Sequence, residues 1–244
     1  MCFGGNMPKE KYRIAGLNVL MEAEGELTKT RSEKYKYNFS GSPDFQILGM
    51  KSNMERLKSD EGLTEQEAEY VATGSRFYNY LTSFSGFMLH SSAVCFDNKA
   101  YLFTADSGTG KSTHTSLWQK YLGDKAFILN DDKPAIRLID GKFYAAGTPW
   151  SGKTDQNENL LIEIGGVAVL KRGTDNKISP LSPAAAVLPL LSQTAFPTNH
   201  ERIDTLSKLL EQFVENVPIF ELYCDISEQA VKTSFEAMTK QKYR

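Results

Sequence analysis

The sequence has no long apolar run: nothing in it approaches the roughly eighteen residues that a bilayer-spanning helix needs. It is poor in cysteine, with three in 244 residues. Cys2, Cys95 and Cys224 are far apart and odd in number, which excludes a disulfide framework and a metal-ligand spacing. Reduced thiols in a cytoplasmic protein are the expectation. Neither sign of charge dominates. Lys and Arg total 28 against 30 Asp and Glu, a net charge of −2, so no footprint for nucleic acid or a membrane surface is present. The stretch 1–9 has no apolar leader segment. Three histidines leave little material for a transition-metal site. Repeats, low-complexity tracts and linkers are missing as well. A hydrophobic content of 41% with 24% charged residues is ordinary for a globular protein. One mixed α/β (α+β) domain over 1–244 is expected, its core in 87–244 and its first 86 residues a β-rich and helical extension.

One short stretch stands out. Asp106-Ser107-Gly108-Thr109-Gly110-Lys111-Ser112-Thr113-His114 follows an apolar β-type run at 100–105 and leads into a helix-compatible segment. That is the arrangement of a phosphate-binding P-loop. Small residues let the backbone curl so that its N–H groups, from Ser107 through Thr113, face phosphate oxygens. Lys111 reaches the outer phosphates and the Ser112 hydroxyl is placed to ligate Mg²⁺. The helix adds the positive end of its dipole. A nucleoside triphosphate, ATP with Mg²⁺, is the implied ligand. The usual pattern opens with glycine where this chain has Ala105, and alanine fits if φ there is negative. A chance Gly-Lys-Ser turn is the plain alternative; the flanking strand and helix argue against it.

The surrounding pattern places other elements. Residues 12–21 and 34–39 read as strands, with a shorter one at 44–48. Thr64 with Glu67 marks a capping box, and Ala68, Val71, Ala72 and Ser75 give the buried face of a helix to Leu81. Its aromatics Tyr70, Phe77, Tyr78 and Tyr80 read as core packing. Residues 87–96 and 99–105 flank Asp97-Asn98 and form a hairpin. Its cross-strand partners sum to 195, which sets His90 opposite Ala105. A helix over 113–121 stops at Gly123, and a strand over 126–130 ends in Asp131-Asp132. Hairpin strands at 135–139 and 142–145 flank Asp140-Gly141, a loop spans 147–153, and 160–170 is again strand-like. Ser182-Pro183 opens a helix, and Leu206, Leu209, Leu210, Phe213 and Val214 mark an amphipathic one. A strand at 219–224 and a helix at 227–238 complete the chain.

Phosphoryl transfer is mostly positioning and charge neutralisation, so the loop needs acidic partners. Asp131-Asp132 is the candidate pair, one carboxylate for the metal and one for the acceptor proton. If their strand runs parallel to the loop's strand, both open on one sheet edge. Neighbouring strand residues face opposite ways, so both carboxylates reach one site only if the strand ends or bulges there. An ordinary turn pair is the other reading.

Residues 89–94, 105–112 and 129–132 together resemble the catalytic half of bacterial HPr kinase/phosphorylase. The nucleotide-binding part of ATP-dependent phosphoenolpyruvate carboxykinase is a relative, and the wider pattern resembles small stand-alone homologues of the kinase. The resemblance implies a mixed-sheet P-loop domain in which Lys111 stabilises the outer phosphates and Ser112 and Asp132 hold Mg²⁺. Asp131 would be the base toward a hydroxyl acceptor, and His90 would sit beside the transferred phosphate. A structural role for His90 stays open. His114 is expected to face solvent and His200 to lie in a loop. Glu163-Ile164-Gly165-Gly166 lacks the arginine of the family's Glu-Ile-Arg-Gly signature, and residues 1–86 do not match its N-terminal domain. Both departures argue against HPr as the acceptor. Arg172 and Lys153, and less so Arg137, are alternative phosphate clamps. The expected activity is an ATP-dependent kinase acting on a serine in a peptide or on a small molecule. A nucleotide-binding regulatory module, or a carboxykinase-like enzyme, are the alternatives. Acceptor recognition is expected from 148–159 and the C-terminal helices; nothing in the sequence reads on oligomeric state.

Overall fold

The computed structural model describes residues 9–243, so Cys2 and most of the 1–9 stretch lie outside it. The chain opens with β1 (Lys9–Ile14) and β2 (Leu17–Glu22), an antiparallel hairpin. Ala15 and Gly16 form its turn, with φ of 52° and 79°. The single strand expected over 12–21 is therefore two. Its buried positions change parity, Tyr12 and Ile14 before the turn and Leu17, Val19 and Met21 after it, as a two-residue turn requires. Helix α1 (Glu26–Ser32) follows, and then a 3₁₀ turn over Glu33–Tyr35. The strand expected at 34–39 does not form. Tyr35 is buried, Tyr37 is exposed, and a lone bridge joins Lys36 to Tyr12. β3 (Phe45–Ile47) runs parallel to β2 and completes a three-stranded sheet.

Helix α2 (Lys51–Glu61), which the sequence pattern does not single out, ends on Gly62 in the left-handed region. Helix α3 (Glu65–Leu81) starts at the Thr64–Glu67 capping box, both of whose bonds are present. Its Ala68, Phe77 and Leu81 pack with the small sheet, while Gly74 lies against Trp150. With both flanks covered, Val71 and Ser75 face outward instead of inward. Among the described residues the first 86 carry three short strands and three α-helices, so helix outweighs strand there.

The remaining strands are β4 (Gly86–Met88), β5 (Ser91–Phe96), β6 (Lys99–Thr104), β7 (Ala126–Asp132), β8 (Ala135–Ile139), β9 (Lys142–Ala146), β10 (Leu161–Arg172), β11 (Lys177–Pro180) and β12 (Ile219–Cys224). They form one mixed nine-stranded sheet in the order β4-β8-β9-β10-β6-β5-β7, with β12 on β10 and β11 on β12. Only Leu89 and His90 separate β4, at one edge, from β5 near the other, so the sheet curls. The strand expected over 87–96 is accordingly two. The Asp97-Asn98 and Asp140-Gly141 turns form as read, all four residues with positive φ. β6, β10 and β12 are mutually parallel; β5 is antiparallel to both β6 and β7, so β7 points the same way as β6.

Helix α4 (Lys111–Leu122) and α7 (Glu228–Thr239) cover one face of the sheet, while α5 (Pro183–Leu191) and α6 (His200–Asn216) cover the other. Alternate residues serve the two layers. Leu102 and Leu129 pack toward α6, and Phe103 and Ile128 toward α4 and α7. Covering on both faces explains why these strands read as continuous apolar runs. His200 is the first residue of α6, not a loop residue. Among the described residues no helix is long and apolar enough to cross a membrane.

Candidate functional site

The parallel strands carry the candidate residues to one edge. β6 ends at Thr104, and the chain turns between Asp106 and Thr109, whose N–H donates to the Asp106 carbonyl at 3.2 Å. Gly108 and Gly110 take φ of 76° and 119°, and a Cβ at either would meet nothing within 4 Å. The backbone conformation, not crowding, demands glycine there. Ala105 is not among the residues with positive φ, so alanine sits at that position without strain. α4 begins at Lys111 with no side chain capping it, which leaves its first-turn N–H groups free of side-chain partners.

Lys111 is buried, and its ammonium donates to the Ala105 carbonyl at 2.8 Å. Burial pushes its pKa below the usual lysine range, against the opposing fields of Asp132, Asp106 and Asp131. Ser107, Ser112 and Thr113 are exposed. Arg172, at the end of β10, donates to the carbonyls of Gly108 and Thr109. Gln193, just past α5, bonds Asp106 Oδ1 through its side chain and accepts the His90 N–H at 2.7 Å through its carbonyl. A cavity of about 580 Å³ lies between the loop, the end of β10 and Gln193.

The acidic pair is shaped by β7. Its pairing with β5 slips between Ala93–Asn130 and Val94–Ile128, so Leu129 is an extra, bulged residue. Asn130, fully buried, then closes the strand. Its Oδ1 accepts the N–H groups of Asp132 and Lys133 at 3.1 and 2.8 Å, and its Nδ2 donates to the Thr148 carbonyl and hydroxyl. Tyr78 adds its phenol to the Lys133 carbonyl and Thr148 Oγ1.

The two carboxylates have different surroundings. Asp131 is buried; Oδ1 accepts from Ser92 Oγ at 2.6 Å and Oδ2 from Thr154 Oγ1 at 2.8 Å. Ser92 also meets Thr115 of α4 at 2.6 Å, which joins the carboxylate to the helix that follows the loop. Asp132 meets His90 Nε2 at 3.0 Å through Oδ1 and the Lys133 ammonium through Oδ2. Burial works to raise its pKa, but the His90 hydrogen bond and the Lys133 charge outweigh burial and hold it below the usual carboxylate range. Register explains the arrangement. Ser91 stands opposite Thr104 on one side, as the sum of 195 requires, and opposite Asp132 on the other. The hairpin alone places His90 near Ala105 and says nothing of its partner on β7.

Other contributors are invisible in the linear pattern. The 147–159 segment runs back along β7, with Asp131 N–H on the Gln156 carbonyl at 3.0 Å and Glu158 N–H on the Leu129 carbonyl at 2.9 Å. That brings Thr154 to Asp131. Gly152, with φ 73°, sits so close to Asp132 that a Cβ would lie 2.8 Å from the aspartate Cβ. The first 86 residues brace this segment from behind. Tyr35 donates to Asn157 Oδ1 at 2.7 Å, Tyr70 to the Pro149 carbonyl at 3.2 Å, and Arg31 to the Gly152 carbonyl.

Several expectations change. His114 is buried at 2% exposure and its Nε2 meets Ser234 Oγ at 2.9 Å. Burial pushes its pKa down to about 4. The helical period carries residue 114 onto the face of α4 that packs against α7. Arg137 donates to the carbonyls of Phe84 and Ala15 at 3.0 and 2.7 Å, which makes it a structural tie between strands and not a clamp. Lys153 is exposed beside Thr154. Glu163 pairs with Lys99 and Lys142 on the surface. Cys95 and Cys224 are buried free thiols.

The residues present suit a Mg²⁺-bound nucleotide. The glycine turn leaves open space, a buried lysine stands beside it, and carboxylates lie within its field. Among the described residues no cluster of three or more His, Cys, Asp or Glu forms a self-contained metal site. Mg²⁺ does not need one, because it shares one or two protein oxygens with phosphates and water.

No family model and no curated protein matches this sequence. A solved structure described as the Hpr(Ser) kinase/phosphatase from Coxiella burnetii is similar over 50% of this chain and 93% of its own, at 13% identity and a TM-score of 0.29. That is a weak structural resemblance.

Proposed function

We propose that this chain is a phosphotransferase that moves the γ-phosphate of ATP, with Mg²⁺, to a hydroxyl acceptor other than HPr. The observation that carries the reading is the meeting of the glycine loop, Lys111, the Asp131-Asp132 pair and His90 at one sheet edge, where parallel strands end. Open α/β sheets bind ligands at that edge.

In this reading the N–H groups from Ser107 to Thr113 cradle the phosphates, and Lys111 leaves the Ala105 carbonyl to meet the outer ones. Ser112 and Asp132 hold the metal ion, whose charge offsets that of the transferring group. His90 and Lys133 keep Asp132 ionised for that role. Asp131 takes the acceptor proton. Its Oδ2 already accepts one hydroxyl, from exposed Thr154, and an acceptor alcohol takes that place. Ser92 holds the other oxygen and orients the carboxylate.

The test is incubation with ATP labelled at the γ-phosphate, Mg²⁺ and a cell extract, with mass spectrometry of whatever is labelled. The wild-type protein is expected to label an acceptor. Lys111→Ala should label none, and Asp131→Asn should bind ATP without transferring. Turnover retained in Asp131→Asn removes it as the base. ATP bound by the wild type with no species labelled would replace the enzyme by a nucleotide-binding regulatory module.

A further inference from the structure

A second cavity, of about 340 Å³, lies between α2, α3 and the 195–198 segment. Lys133, whose ammonium is bonded to Asp132, forms part of its wall. Its lining includes three cations, Arg56, Arg76 and Lys133, and no acidic side chain. The charge of Lys133 is offset by Asp132, whereas neither arginine takes part in any ion pair among the described residues. Arg76 Nε is buried without a hydrogen-bond partner. Its guanidinium is held 5.2 Å over the Tyr80 ring, with Arg202 at 4.7 Å from the same ring. These contacts fix the group without neutralising it. The rest of the lining mixes aromatic side chains, Tyr70, Trp150 and Phe196, the last 59% exposed, with polar ones such as Asn53, Ser75 and Thr198.

We propose that this cavity receives the phosphoryl acceptor, a small organic anion whose apolar or aromatic body joins a carboxylate or phosphate to the hydroxyl. The proposal rests on the phosphotransferase reading and names the substrate class for it. The anionic group meets Arg76 and Arg56, the body lies against Tyr70 and Trp150, and the hydroxyl points toward the Asp131-Asp132 end. In the transfer the acceptor oxygen forms its bond to the γ-phosphorus as the bond from that phosphorus to the bridging oxygen of ADP breaks. The hydroxyl proton passes to Asp131. The volume is at the low end of small-molecule sites and leaves room for little more than one residue of a peptide.

Trp150 lies in the cavity wall and Trp118, the other tryptophan, is buried under α4, so emission from Trp150 reports occupancy. Titrations would use 3-phenyllactate and phenyl phosphate as anions and 3-phenylpropane-1,2-diol as the neutral counterpart. At least one anion is expected to bind tenfold or more tightly than the diol. Arg76→Gln should weaken that anion at least tenfold while ATP affinity, read with a fluorescent nucleotide, stays unchanged. Arg56→Gln, on an exposed position, should weaken it several-fold and keeps the measurement interpretable if Arg76→Gln fails to fold. Neither anion outperforming the diol, or both arginine variants binding like wild type, overturns the proposal and leaves ATP-dependent transfer to stand or fall on the labelling experiment. Selective anion binding by a protein that binds no ATP refutes the acceptor role through failure of the phosphotransferase reading.

Discussion

Replacing Asn130 by alanine tests whether the acidic pair is held by the buried amide that ends β7. Three partners lose their bond. The Thr148 carbonyl loses its Nδ2 donor, and the N–H groups of Asp132 and Lys133 lose their acceptor. Thr148 Oγ1 keeps Tyr78 and the Lys133 carbonyl. The Thr148 group is fully buried, while Asp132 and Lys133 are half-buried and can recruit water. One orphaned buried group and two partly rescued ones sum to about 3 kcal/mol. In a chain of this size that lowers the melting temperature by roughly 6–12 °C, short of abolishing the fold. Asn130→Asp keeps the acceptor for both N–H groups but faces the Thr148 carbonyl with a second oxygen and adds a third carboxylate. It should lose nearly as much stability at pH 7 and recover part of it in acid. Urea unfolding monitored by circular dichroism gives the energies. Phosphoryl transfer should fall far more than ATP affinity, because Asn130 touches neither the glycine loop nor Lys111. A loss below about 1 kcal/mol, or an unchanged transfer rate, refutes the assignment of Asn130 as the clamp of the pair.

The His114 pKa drops from its ordinary 6.5 to about 4 in the folded chain, so between those values the unfolded state binds more protons and stability rises with pH. About 3 kcal/mol is present above pH 6.5 and lost as pH falls toward 4. Urea midpoints of wild type and His114→Gln at pH 7 and 4.5 should show the variant with a much flatter dependence. Gly152→Ala places a Cβ 2.8 Å from that of Asp132 at a φ of 73°. It should cost about 2 kcal/mol or more and lower transfer with little change in ATP affinity; a silent variant would show that the segment yields. Arg172→Ala frees two loop carbonyls at an exposed position. Stability should change by no more than about 0.5 kcal/mol while the Kd for ATP rises several-fold by calorimetry.

Much of the local structure is written in short spans of sequence. Asp97-Asn98 and Asp140-Gly141 adopt left-handed turns because Asp and Asn tolerate positive φ and glycine has no Cβ to oppose it, and Thr64 with Glu67, Ser182 and Ser227 cap helices through side-chain oxygens that accept backbone N–H groups. The 195 register follows from the first of those turns. The parity change across Ala15-Gly16 is present in the letters, but a continuous strand reading of 12–21 hides it. Residues 34–39 mislead because alternation describes a strand only where a neighbour supplies the pairing, and β1 offers a single bridge.

The sequence by itself therefore determined the pieces whose physics is contained in a few neighbouring residues: the glycine turn after β6, the lysine that follows it and the two aspartates at the end of an apolar run. Only the tertiary structure decided what those pieces face. His90 meets Asp132 because β5 lies between β6 and β7, Asp131 meets Thr154 because a distant segment returns along a bulged strand, and His114 is buried because α7 packs on its helix. Two arginines on separate helices share one cavity with Lys133 for the same reason. Such neighbours are separated by tens of residues of chain, and no local periodicity or turn chemistry encodes contacts made only when the sheet curls and the layers close.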